Sequence, residues 1–115
     1  TIDTQYNVYY RTEIGAEFPG GERPMQKFIA NRIDQIGYPI AERNAGISGT
    51  VYVTFVVEKD GSLTDIKLLR GAPGAPGYNA LSLEVIKQMP TWKPGLQFGK
   101  VVRVQFNLPI RFTLR

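Results

Sequence analysis

The feature that most limits the fold is the last long run of the chain. Over residues 101–114 an extended backbone carries Val102, Val104, Phe106, Leu108, Ile110, Phe112 and Leu114 on one side. Val101, Arg103, Gln105, Asn107, Pro109, Arg111 and Thr113 fall on the other. A period of two held over that length specifies a β-strand with one buried face and one wet face. Such a strand needs a layer over its apolar face and a neighbour for its backbone. Pro109 adds a condition: it has no N–H, so within a sheet its nitrogen points out from an edge or sits at a bulge.

The rest of the chain supplies both layer and neighbours. Residues 47–58 alternate again, with Val51, Val53, Phe55 and Val57 on one face and Thr50, Tyr52, Thr54 and Val56 on the other. Lys59-Asp60-Gly61 then carries the signal of a tight hairpin, and residues 63–70 form its second arm, with Thr64, Ile66 and Leu68 opposed to Asp65 and Lys67. Met25, Phe28, Ile29, Ile33 and Ile36 lie at helical spacing, after the start signals Gly20, Gly21 and Pro24 and before the stop signals Gly37 and Pro39. A second helix is expected to be capped by Asn79, with Tyr78 and Leu83 as a hydrophobic staple and Ser82, Val85, Ile86 and Met89 as its buried stripe, before Pro90 ends it. Residues 71–77 read as a flexible loop, and residues 92–95 as a bend.

The predicted class is α+β, two helices packed on one face of a three-stranded antiparallel sheet in the order α-β-β-α-β. A single helical crossover returns the chain so that the third strand runs parallel to the second. To be antiparallel to its neighbour it must lie beside the first, giving spatial order 2-1-3. The last strand is then an edge, in agreement with Pro109. Because outward backbone groups recur at every second residue, Arg103, Gln105, Asn107 and Arg111 belong to the outward set. Residues 1–21, with Tyr6, Val8, Tyr9, Tyr10 and Phe18, read as an extended arm, and residues 22–115 as the domain itself.

Composition narrows the function classes. The 115 residues include neither Cys nor His, which removes disulfides, thiolate and His-based catalysis and the commonest metal ligands. Glu58, Asp60 and Asp65 near the hairpin turn form no evident acid–base pair, so no catalytic residues, metal or cofactor are expected. No stretch approaches the about 20 apolar residues that span a bilayer. The chain opens at Thr1 rather than Met, so any anchor or targeting segment is expected upstream. After Glu84 there is no acid, while Lys87, Lys93, Lys100, Arg103, Arg111 and Arg115 follow. That basic end either keeps a face solvated or meets an acidic partner surface. Nucleic acid is not an expected partner, since Tyr52 alone among the sheet aromatics lies on the open face.

Several short motifs, in order, carry a resemblance. They are Glu17-Phe18-Pro19-Gly20-Gly21 before the first helix, Tyr38-Pro39 with Ala41 and Gly46-Ile47 after it, and Gly49 opening a strand. Val56-Val57-Glu58-Lys59-Asp60-Gly61, Met89-Pro90, Trp92-Lys93-Pro94-Gly95 and Leu108-Pro109-Ile110 come after these. Together they resemble the C-terminal domain of TonB, the energy transducer of Gram-negative outer-membrane transport, particularly its Bacteroidetes form. Residues 71–77 with Tyr78-Asn79, and a slightly lengthened stretch at 34–37, depart from the family pattern.

The resemblance implies a non-catalytic periplasmic domain, anchored to the inner membrane by a segment before Thr1. It implies docking of an extended motif from TonB-dependent outer-membrane receptors by strand addition, and coupling to an inner-membrane motor complex. Carried over by position, the implied docking edge is residues 101–107, including Val101, Arg103, Gln105 and Asn107, with Arg111 beyond it and Tyr38 and Pro39 as a second contact region. An alternative is a TonB-like interaction or sensor domain attached to a membrane signalling peptidase, or standing alone in the periplasm. Exposed sheet edges also allow weak pairing of two copies. Arg103 and Arg111 are expected either to attract a partner or to keep the edge from pairing with itself. Trp92, between two prolines, fits closure of a core better than ligand contact.

Overall fold

The structure is a computed structural model that describes residues 2–3 and 8–114; Tyr6 of the expected arm lies outside the described residues. Its elements are β1 Ile2–Asp3, β2 Val8–Tyr9, α1 Glu22–Ile36, α2 Ile40–Asn44, β3 Gly49–Val57, β4 Leu63–Arg70, α3 Pro76–Lys87, β5 Gly95–Gln97 and β6 Lys100–Phe112. β3 is central. It pairs antiparallel with β4 on one side and with β6 on the other, the latter in unbroken register from Gly49↔Phe112 to Val57↔Val104. The expected α+β class and the 2-1-3 order of the three long strands are therefore present, as β4-β3-β6.

The alternation of β3 and β6 explains where the core lies. Val51, Val53, Phe55 and Val57 from β3 and Val104, Leu108, Ile110 and Phe112 from β6 are buried together with Met25, Ile29 and Ile33 of α1 and Tyr78, Leu81, Val85 and Ile86 of α3. Both long helices thus cover one face of the sheet, as most of their stripes predict, with Ile36 at the end of the α1 stripe left exposed. α1 closes at Gly37, whose N–H donates to the carbonyl of Ile33 at 2.7 Å. Trp92 closes the core's far end: it is buried, with ring centroids 5.3 Å from Phe55, 5.0 Å from Phe106 and 6.0 Å from Phe18. Its backbone N–H donates to the carbonyl of Gly61 at 2.9 Å, and a Cβ at Gly61 would lie 2.0 Å from the Trp92 carbonyl oxygen. The hairpin turn therefore needs glycine for close approach as well as for its φ of 87°.

Several details differ from the sequence expectations. α3 begins at Pro76, three residues before Asn79, with Pro at its first position where a missing N–H costs nothing. Asn79 is not the cap: its Oδ1 accepts the N–H of Ala72 at 2.9 Å and ties down the preceding loop. The capping acceptor is Glu42 of α2, a buried carboxylate that accepts the Tyr78 N–H at 3.0 Å. Gly77 is what admits it, since a Cβ there would stand 2.1 Å from Glu42 Oε2. Tyr78 lies inside the helix and stacks on Phe112 at 4.3 Å rather than acting as a staple outside it. α2 itself is too short to show a helical period.

β4 also slips from strict alternation. Thr54 pairs with Lys67 and Val56 with Thr64, so Phe55 faces two residues, Asp65 and Ile66, and Asp65 takes a φ of 52°. This bulge puts Leu63 and Ile66 against the core and leaves Thr64 with Lys67 on the other face, while Leu68 is exposed.

Candidate functional site

β6 is held to β3 by its even-numbered residues, as Pro109 requires. Pro109 stands opposite Tyr52, and having no N–H it occupies a position whose backbone points away from β3. By the same alternation Gln105, Asn107 and Arg111 direct their backbone groups away from β3.

That outer side is not free along its whole length, which corrects the expectation of an uncovered edge. β2 lies there, parallel to β6, with Val8 opposite Arg103 and Tyr9 opposite Val104, and β1 pairs in turn with β2. β5 forms a hairpin with the start of β6, pairing Leu96 with Val101 and Gln97 with Lys100. β2 has two residues and β5 three, so neither carries enough alternation to be recognised as a strand. Among the described residues no strand pairs with the outer side of β6 beyond Val104. The open stretch is thus residues 105–112, displaced toward the C-terminus from the expected 101–107.

The expected site residues separate accordingly. Val101 is exposed and paired with β5. Arg103 is engaged by Glu58: its Nε lies 2.8 Å from Oε1 and its Nη2 donates to Oε2 at 3.3 Å. The guanidinium hydrogen bond, with help from the Thr64 hydroxyl, outweighs burial and holds the Glu58 carboxyl below its ordinary pKa. The Arg103 pKa is raised by the same partner. Gln105 donates from Nε2 to the Thr54 hydroxyl at 2.6 Å. Asn107, Pro109 and Arg111 are exposed, and among the described residues no ion pair forms at Arg111.

Tyr38 is half-buried and packs edge-on against both Tyr78 and Phe112, each at 5.8 Å, while its hydroxyl donates to the Thr113 carbonyl at 3.3 Å. Pro39 precedes α2, and its carbonyl accepts the Arg43 N–H at 3.0 Å. Tyr38 therefore braces the far end of β6, whereas Pro39 opens α2 and lies beside Gly77 of α3.

A trough runs beside the open stretch. One part, about 300 Å³, lies between β6 at residues 106–109 and a wall that includes Ala16, Phe18, Met25 and Trp92. A second, about 190 Å³, lies between Ile110 and Arg111 on one side and Ala30, Ile33 and Tyr38 on the other. A third, about 340 Å³, separates residues 104–107 from Tyr10, Thr12 and Gly15. The walls come from α1 and from the segment after β2, which sequence reasoning does not connect with the edge. The apolar Ala16 and Phe18 are the available signal, since both are buried with the core.

The arrangement suits an extended chain: outward backbone donors and acceptors in a row, with apolar walls beside them. Among the described residues no group of three or more His, Cys, Asp or Glu is placed to hold a metal ion, and no helix is long and apolar enough to cross a membrane.

Comparison with known proteins agrees with this architecture. The C-terminal domain of the Gram-negative bacterial TonB protein matches as a family over residues 34–114. Among solved structures, the TonB C-terminal domain of Helicobacter pylori, determined by NMR in solution, is similar with 28% identity and a TM-score of 0.52, covering 84% of this chain and 87% of that one. The TonB C-terminal domain of Pseudomonas aeruginosa is similar with 25% identity and a TM-score of 0.52, covering 69% of this chain and 78% of that one. A search of curated proteins gives no match. With the family pattern spanning most of the chain, and the edge strand, both long helices and the central hairpin all in place, the chain belongs to the family of TonB C-terminal domains.

Proposed function

We propose that this chain is the receptor-docking domain of a TonB-type energy transducer. In this reading it is a non-catalytic periplasmic module. It takes an extended segment from the N-terminal part of a TonB-dependent outer-membrane receptor as an added strand on β6 at residues 105–112. Through the inner-membrane part of the full transducer it passes on force from a motor complex during nutrient uptake. The observation that carries the reading is the outer side of β6, a backbone row left unpaired beyond Val104 among the described residues and flanked by a trough. Family membership supplies the receptor as the partner.

The geometry suits a mechanical role. A strand added to β6 and pulled along its length loads several backbone hydrogen bonds together, each contributing about 0.5–1.5 kcal/mol net. Asn107→Pro tests the docking directly. It removes one outward N–H at an exposed position close to a proline the strand already tolerates, so the fold is expected to survive. Binding of a synthetic peptide copied from the N-terminal segment of such a receptor is expected to weaken roughly three- to tenfold, the loss of one such bond. Unchanged affinity in a folded variant would sink strand addition at this edge.

A further inference from the structure

The docking edge already holds a strand of its own. β2 runs parallel to β6 on the side away from β3, with Val8 opposite Arg103 and Tyr9 opposite Val104. Val8 is 5% exposed, so this contact is a seated one. The chain then leaves the edge at Tyr10, which is 51% exposed, although among the described residues no strand lies on the outer side of β6 for residues 105–112.

Beyond Tyr10 the arm is fastened elsewhere. Ile14 and Leu96 exchange backbone hydrogen bonds at 3.2 and 2.8 Å, and Glu17 and Lys93 do so at 3.0 and 2.8 Å. The Glu13 N–H donates to Gln97 Oε1 at 2.9 Å, and the Phe98 N–H donates to Glu13 Oε1 at 2.6 Å. These bonds involve β5, the residues beside it and the stretch before it, and none involves β2. The arm therefore has two independent attachments, a short one on the edge and a longer one on the β5 hairpin. The bend at Tyr10 and Arg11 lies between them.

We propose that β2 is a built-in competitor for the docking edge: it fills the Arg103–Val104 portion in the free domain and is displaced by a partner strand long enough to run from Arg103 to Phe112. The inference rests on strand addition at β6 and deepens it, by dividing the edge into an open part and a self-filled part. Displacement exchanges a two-residue parallel contact for a longer continuous ladder. The second attachment keeps the arm in place while this happens. The gap of about 340 Å³ between residues 104–107 and Tyr10 and Thr12 is where the partner strand meets the end of β2. A protein whose edge is partly self-filled binds with its intrinsic affinity reduced by the fraction of molecules in which the edge is free.

The test compares the unaltered chain with Val8→Lys, which puts a like charge at a buried position opposite Arg103 and beside Lys67 and so expels β2, and with Tyr9→Pro, which takes a backbone N–H out of β2 without disturbing the core. If one variant fails to fold, the other answers. The probe is a synthetic extended peptide copied from the N-terminal segment of a TonB-dependent receptor. The readouts are its affinity and the backbone amides of β6 that it protects from hydrogen exchange. Affinity is expected to rise on the order of fivefold or more in either variant, as the competing bonds are lost. The protection, already present at Asn107 and Arg111, is expected to extend to Arg103 at the higher affinity. Equal affinity and equal protection in all three proteins would overturn the competitor while leaving docking at residues 105–112 standing. Absence of binding by all three would overturn docking and competitor together.

Discussion

At the scale of single residues, the pair formed by Arg103 and Glu58 is the most informative. The sequence offers Arg103 as a charge on an edge, but the structure shows its guanidinium 2.8 Å from a carboxylate on the neighbouring hairpin, with side chains 31% and 23% exposed. Arg103 thus reinforces the β3–β6 pairing where the ladder ends, while Arg111 at the far end is exposed and forms no ion pair among the described residues. Because the Glu58 pKa is lowered in the folded protein, its contribution to stability is fully present above the unfolded carboxyl pKa and is lost as the pH falls through the folded one. Glu58→Gln is therefore expected to cost on the order of 1 kcal/mol at neutral pH and to lose that deficit in strong acid, where both proteins carry a neutral group. Urea unfolding of the two proteins across the acid range checks this, and a deficit that persists unchanged in acid would contradict it.

At the scale of elements, the long strands and α1 are legible in the sequence because each holds one period for several turns or pleats. What the sequence does not show depends on contacts between segments distant in the chain. Asn79 has the residue type of a cap, yet α3 starts at Pro76 because Glu42, from a five-residue helix, reaches the Tyr78 N–H across the gap left by Gly77. The carboxylate also sits at the positive end of the α3 dipole. Glu42→Ala is expected to destabilise the domain by about 1–2 kcal/mol, the usual cost of removing a cap, with a matching fall in thermal midpoint. If stability were unchanged, Asn79 or solvent would have to be the effective cap. The bulge at Asp65 is hidden for a similar reason, since only the register with β3 exposes the extra residue.

At the scale of the whole molecule, the sheet edge is legible in the sequence while the length of it left unpaired is not. Pro109 and the order of the strands locate the edge from sequence alone, and the structure agrees in placing β6 at the border of the three long strands. In the upstream half of the expected edge, Arg103 is instead met by β2 and Val101 lies in the hairpin with β5, and strands of two or three residues leave no periodic trace. The trough walls from Phe18, Met25 and Ile33 are legible only as core residues, because a sequence does not show which core side chains also border a groove. Docking makes one demand on all these parts together: an added strand must be felt along the open stretch of β6 and not over the rest of the sheet. An amide-shift titration of the isolated domain with a receptor-derived extended peptide measures this directly. Saturable shifts centred on Gln105, Asn107 and Arg111 are predicted, with β4 at the opposite border unmoved; shifts centred on β4, or none at saturating peptide, would contradict docking at this edge.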